Sequence, residues 1–255
     1  MKITFLGTGT SCGVPLPTCQ CEVCQSPDPH DHRLRCSALV ETDEGCQILI
    51  DCGPDFRLQA IENNIMHLDA VLLTHNHFDH CFGIDDLRAY SFKQPLPLFV
   101  EPSMANVLRQ RHDYIFVHKY PGTPKLELNE VNPGETFIIG NTECRAIRVY
   151  HKFPELPILA FRIGQKLAYV TDCSLIPDDQ WQYLEGIDTL IIDALRWKEH
   201  PTHFSVEQAL EVVNRLKPRQ TWFTHMSHDM GLHDWANNQL PNGVKLAYDG
   251  QVCEC

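Results

Sequence analysis

Residues 70–85 read AVLLTHNHFDHCFGID. The apolar run Ala70 to Leu73 has the length and composition of a buried strand, and it ends at Thr74. His75, His77, Asp79 and His80 follow at once. Residues two apart in extended chain project to the same side, so His75 and His77 face one point. If the chain then turns, Asp79 and His80 face a second point close by. Two imidazoles for one ion, with a carboxylate and an imidazole for its neighbour, suit a pair of divalent cations. A merely histidine-rich surface loop gives no reason for this spacing directly after an apolar strand.

Outward from this stretch, apolar runs flanked by turn residues recur along the chain: KITFLG, CSALVET, CQILIDCG, DAVLLT, PLFVE, ECRAIRVY, PILAFRIG, KLAYVTD, DTLIIDA, QTWFTH and GVKLAYDG. All are expected strands. The clearest helix is FSVEQALEVVNRLKP, where Ser205 caps, Gln208 completes a capping box, and Val206, Leu210, Val213 and Leu216 form one apolar stripe. A second helix is expected after Pro177 through DDQWQYL, and a third within HDMGLHDWANNQL. Residues 111–136 carry weak periodicity and several breakers, and read as a join between halves or a surface loop. Two strand-rich halves with helices outside imply two packed sheets covered by helices, in a single domain spanning residues 1–255.

The chain of 255 residues has 12 cysteines, 14 histidines and a formal charge of −12. The opening MKITFLGTGTSCG is too short for a signal peptide, and no run approaches eighteen apolar residues, so a cytoplasmic location and no membrane partner are expected. Cysteines in that compartment serve as metal ligands, buried thiols or redox groups in preference to disulfides. The negative charge argues against general nucleic-acid binding. GTGTSCG lacks the Gly-Lys-Ser ending of a phosphate loop and reads as a glycine turn after the first strand. Arg88, Lys152, Arg196 and Lys198 are candidate phosphate partners or solvated charges, while His30, His32, His67, His112, His118 and His233 are expected at the surface.

The HxHxDH motif resembles the signature of the metallo-β-lactamase superfamily, and later residues follow that superfamily's order: His151 after AIRVY, Asp172 after LAYVT, His225 after TWFT. The resemblance implies a four-layer αβ/βα sandwich with an active site where strand ends of both halves meet. It implies that His75, His77 and His151 hold one metal, that Asp79, His80 and His225 hold the other, and that Asp172 bridges them. Asp51 in ILIDCG is either a support for these ligands or part of a capped turn before Gly53. Enzymes that hydrolyse β-lactams carry cysteine where this chain has Asp172, and tRNA-processing relatives insert a long arm where this chain has only residues 152–171.

CxCxxC near the N-terminus (Cys19, Cys21, Cys24) with THxSH near the C-terminus (His225, His228) is similar to the PhnP-type phosphodiesterases, as are LGTGTSCGVP, RCSALV and the final YDG. This implies a Cys₃His structural zinc site of Cys19, Cys21, Cys24 and His228 beside the active site; buried thiols are the alternative. The resemblance also assigns His203, two residues before Ser205, a role near the scissile phosphate, as general acid or as donor to a phosphoryl oxygen. An exposed loop histidine is the other reading, and His200 is a nearby competitor. His203 and Asp79 are thus the candidate catalytic residues.

The expected cofactors are two divalent ions, zinc or manganese, and one structural zinc. The expected partner is a small phosphodiester, such as a cyclic ribosyl phosphate or 2′,3′-cyclic nucleotide, and a homodimer is compatible with the resemblance. The rivals are a thioesterase or RNA-processing hydrolase of the same fold, and a non-catalytic zinc sensor.

Overall fold

The structure, a computed structural model, describes residues 1–255. The first half supplies strands β1 (Lys2–Gly7), β2 (Ser37–Glu41), β3 (Gln47–Ile50), β4 (Ala70–Leu72), β5 (Leu96–Val100) and β6 (Leu126–Glu130). The second half supplies β7 (Thr136–Ile139), β8 (Thr142–Lys152), β9 (Leu156–Ile163), β10 (Leu167–Val170), β11 (Thr189–Asp193), β12 (Gln220–Thr224), β13 (Val244–Leu246) and β14 (Val252–Glu254). They form two seven-stranded sheets, ordered β14-β1-β2-β3-β4-β5-β6 and β13-β12-β11-β10-β9-β8-β7. In each sheet one part pairs antiparallel and the other parallel, the parallel part being β3 to β6 in one and β10 to β13 in the other. All eleven expected strands form; β6, β7 and β14 are additional.

The helices are α1 (Phe56–Glu62), α2 (Phe78–Cys81), α3 (Pro102–Arg111), α4 (Asp113–Phe116), α5 (Val206–Leu216) and α6 (His233–Asn237). Three separate apolar layers show the four-layer sandwich. One lies between the sheets and includes Phe5, Ile50, Phe161, Tyr169 and Ile191. A second lies under α1 and α3, with Leu49, Phe56, Val71 and Leu108. A third lies under α5, with Val170, Leu190, Val206, Ala209 and Phe223. Strand alternation distributes the side chains: Leu72 faces the inter-sheet layer and its neighbours Val71 and Leu73 the outer one. The expected capping box of α5 is present, with Ser205 and Gln208 each bonding the other's backbone.

Several expectations are corrected. The helix after Pro177 shrinks to one 3₁₀ turn, Trp181–Tyr183, and Gly186 then turns the chain at positive φ. The third helix divides into a 3₁₀ turn, His228–Met230, and α6, broken at Gly231 with φ 88°. Residues 111–136 are the join between the halves rather than a surface loop, since they hold α4 and β6, and β7 of the second sheet follows. His112 and His233 are buried rather than exposed. His233 is held by Arg33 at 3.1 Å and Asn237 at 2.8 Å, whereas His112 packs against Phe82 and Tyr114 with both ring nitrogens unpaired.

Candidate metal centre

The candidate residues converge at one edge of the sandwich, where parallel strands of both sheets end. β3 delivers Asp51, β4 delivers the HNHFDH loop and α2, β8 carries His151, and β10, β11 and β12 deliver Asp172, Asp193 and His225. Asp51, Asp172 and His225 all adopt the left-handed backbone conformation, with φ of 61°, 52° and 57°. Non-glycine residues rarely stay there, at a cost on the order of 1–3 kcal/mol each. Here the turn re-aims each side chain at the moment its strand ends. Close backbone approach also positions α2. A Cβ on Gly53 would lie 2.0 Å from the Asp79 carbonyl oxygen, and one on Gly83 would lie 2.0 Å from that of Gly53. Only glycine permits the Asp51 turn to press so closely on α2.

Donor atoms of His75, His77 and His151 lie within 4.8 Å of one another, as do those of Asp79, His80, Asp172 and His225. Asp172 stands between the groups. Its Oδ2 is 3.0 Å from His80 Nε2, and its Oδ1 is 3.3 Å from His225 Nε2 and 4.0 Å from His151 Nε2. Asp79 Oδ2 lies 3.2 Å from His80 Nε2 and 3.5 Å from His225 Nε2.

The hydrogen bonds behind these side chains decide which atoms remain free. Asp51 is fully buried and accepts from the Thr74 backbone N–H at 2.8 Å, the Thr74 hydroxyl at 2.9 Å and His80 Nδ1 at 2.6 Å. With its proton committed to Asp51, the Thr74 hydroxyl accepts from His75 Nδ1 at 2.9 Å. His151 Nδ1 donates to the Thr202 carbonyl at 2.7 Å. Three histidines therefore have Nδ1 pinned by the protein and Nε2 turned toward the centre. His75 Nε2 and His80 Nε2 are buried without a hydrogen-bond partner, as is Nδ1 of His225. Beside two carboxylates, His80 Nε2 must carry a proton or meet a cation, so this donor set fits cations.

The electrostatics agree. Burial pushes His75, His77 and His151 below the ordinary histidine range, which keeps them neutral. Burial also opposes charge on His80, but Asp172, Asp79 and Asp51 outweigh it and raise that imidazole well above its usual value. His225 is raised in the same way, chiefly by Asp172 against burial. Asp172 is held well below the carboxylate range despite burial, by His225 and His80. Carboxylate charge concentrates where the two donor groups meet.

His203 is buried with its Nδ1 3.3 Å from Asp193 Oδ2 and 3.9 Å from Asp172 Oδ1. Asp193 also accepts from the Cys173 N–H at 3.0 Å. Burial lowers His203 to about 4 and raises Asp193 well above the carboxylate range. Both shifts disfavour separated charge, so the pair shares one proton as a neutral unit. Asp193 was not among the candidates. Its signal was present, since DTLIID ends an apolar strand in aspartate as LAYVTD does. His200 is half-buried and bonds Thr202 rather than the centre. Arg88, Lys152 and Arg196 are engaged by Asp85, Glu155 and Asp229.

Cys19, Cys21, Cys24 and His228 form a separate group within 4.8 Å. Cys21 Sγ is 3.2 Å and Cys19 Sγ 3.4 Å from His228 Nδ1. Bonds of about 2.3 Å to sulfur and about 2.0 Å to nitrogen at the tetrahedral angle place S and N about 3.5 Å apart, so the four fit zinc. The Cys24 N–H and His228 lower the Cys21 thiol to about 6, while burial raises Cys24 to about 11. Val14, Val23 and Cys24 form a small apolar cluster with Leu232, joining the N-terminal loop to the segment after His225.

Residues 47–226 match the family described as the beta-lactamase superfamily domain. The chain belongs to the beta-lactamase superfamily. Among superfamily relatives, an octanoyltransferase of Porphyromonas gingivalis is 42% identical over 252 residues, covering 98% of this chain and 51% of that protein. The chain thus spans about half the length of that relative. The crystal structure of a new diphosphatase from the PhnP family matches with a TM-score of 0.90 and 40% identity, covering 99% of this chain and 96% of that one. Zn(2+)-bound PqqB from Methylobacterium extorquens matches with a TM-score of 0.82 and 20% identity over 100% of both chains, a likeness of fold. Superfamily membership makes divalent metal binding the expected use of the centre. No helix is long and apolar enough to cross a membrane.

Proposed function

We propose that the protein is a dinuclear metal-dependent hydrolase acting at phosphorus, on a small phosphodiester such as a cyclic ribosyl phosphate or 2′,3′-cyclic nucleotide. The observation that carries this reading is Asp172, whose two oxygens face His80 on one side and His225 and His151 on the other. His75, His77 and His151 would hold one ion, Asp79, His80 and His225 the other, and Asp172 both; Cys19, Cys21, Cys24 and His228 would hold a structural zinc. Bound divalent ions supply Lewis acidity, lowering the pKa of water to about 7 and offsetting charge on phosphoryl oxygens.

The chain's own residues do the rest. Asp51, through His80 and through Thr74 to His75, orients one imidazole in each donor group. The Asp193–His203 pair holds a proton, and His203 Nε2, which has no partner in the protein, passes it to the departing alkoxide. Water oxygen forms the new bond to phosphorus as the P–O bond to that alkoxide breaks. A diphosphate is the second reading, favoured by the diphosphatase at 40% identity. Acyl transfer, the activity in the longer relative's name, is the third.

The test is turnover by zinc- or manganese-loaded protein of a 2′,3′-cyclic nucleotide, a nucleoside diphosphate, an octanoyl thioester and a tRNA precursor. Cleavage of the cyclic nucleotide supports the reading; diphosphate, thioester or tRNA turnover without it ends the reading.

A further inference from the structure

We propose that the exposed side of α2 is a stacking platform for a nucleobase, so that the substrate of the reading above, on which this rests, is a nucleotide. The helix is two-faced. Asp79, His80 and Cys81 are buried toward the centre, while Phe78 and Phe82 remain 52% and 41% exposed. Phe82 directly follows α2, and the two rings have centroids 5.1 Å apart with planes tilted by 50°, so a base stacked on one meets the edge of the other. Arg35 lies over the Phe78 ring, 5.7 Å from its centroid, and Arg111 over the Phe82 ring at 5.5 Å, so each phenyl has a guanidinium over one face.

The two arginines differ. Arg35 is neutralised by Asp55 at 2.9 Å and also donates to the Ser11 carbonyl. Arg111 has no carboxylate partner; it donates to the Asn76 carbonyl at 2.8 Å, inside the HNHFDH loop. In a chain of net charge −12, a cation without a carboxylate partner beside two part-exposed phenyl rings suits an anionic ligand with a flat π-face. Phe78 is flanked in the chain by His77 and Asp79, so the platform adjoins the centre. An alkyl chain would gain from an enclosing channel, and this face is open.

The experiment measures binding of AMP, ribose 5-phosphate and octyl phosphate by calorimetry to metal-loaded wild type, Phe78→Ala, Phe82→Ala and Phe82→Trp. It also measures the ratio of kcat/KM for 2′,3′-cyclic AMP to that for glycerol 1,2-cyclic phosphate. The expected result is AMP binding tighter than ribose 5-phosphate, with either alanine variant cutting that preference and the kcat/KM ratio about tenfold to a hundredfold. Phe82→Trp should retain both. Loss of metal in Phe78→Ala would lower both substrates together, so the ratio in Phe82→Ala decides the matter. An unchanged AMP preference in both alanine variants, or a dependence confined to octyl phosphate, overturns the platform. Absence of phosphodiester turnover with an intact AMP preference overturns the hydrolase reading instead.

Discussion

Asp51→Asn tests the inner support of the centre. Asp51 Oδ1 accepts from the Thr74 N–H and Oδ2 from His80 Nδ1, while the hydroxyl of Thr74 relays the same carboxylate to His75. The amide has the same shape but only one acceptor. If its oxygen keeps the Thr74 N–H, its NH₂ faces the Nδ1–H of His80, donor against donor. His80 escapes by moving its proton to Nε2, which removes the lone pair offered to a metal. The loss is one hydrogen bond to a charged group, about 1.5–3 kcal/mol, or roughly a tenfold to 150-fold weaker metal affinity. That agrees with the usual effect of removing such supports. Competition with a chromophoric chelator, together with metal counted per chain, measures it. Circular dichroism should show the same fold. Wild-type affinity in Asp51→Asn, within about twofold, would refute the tautomer argument.

Three further outcomes are expected. Cys21→Ser should lose one zinc per chain and at least about 4 kcal/mol of stability, the range of metal-loss variants, with new proteolytic cleavage in residues 17–27. His203→Ala should lower kcat about 10²- to 10⁴-fold without changing metal content; because His203 lies within 4.8 Å of His151 and Asp172, loss of a metal would instead make it a ligand. Gly83→Ala, whose Cβ would meet the Gly53 carbonyl at 2.0 Å, should cost about 1–3 kcal/mol in urea unfolding and weaken metal binding by moving α2.

The sequence by itself determined the strands and the list of donors. Apolar runs of strand length are local, and each candidate ligand of the histidine–aspartate centre follows such a run closely, so both could be read without knowing which strands are neighbours. The capping box of α5 was legible for the same reason. The short helices α1 to α4 were not, because they are held by packing on the second apolar layer rather than by their own periodicity. Nor were the single turn after Pro177 and the burial of His112 and His233, which depend on neighbours distant in the chain.

Tertiary structure alone decided how the donors meet. Positive φ at Asp51, Asp172 and His225 aims three side chains inward, and no residue-level pattern announces it at a non-glycine position. The pairing of Asp193 with His203, the relay from Asp51 to two histidines, and the open phenyl face of α2 are likewise products of contact. Local sequence specifies which way a strand's side chains alternate. It takes the packing of two sheets to set which of them share a single small volume, where burial and opposing charge then settle their protonation.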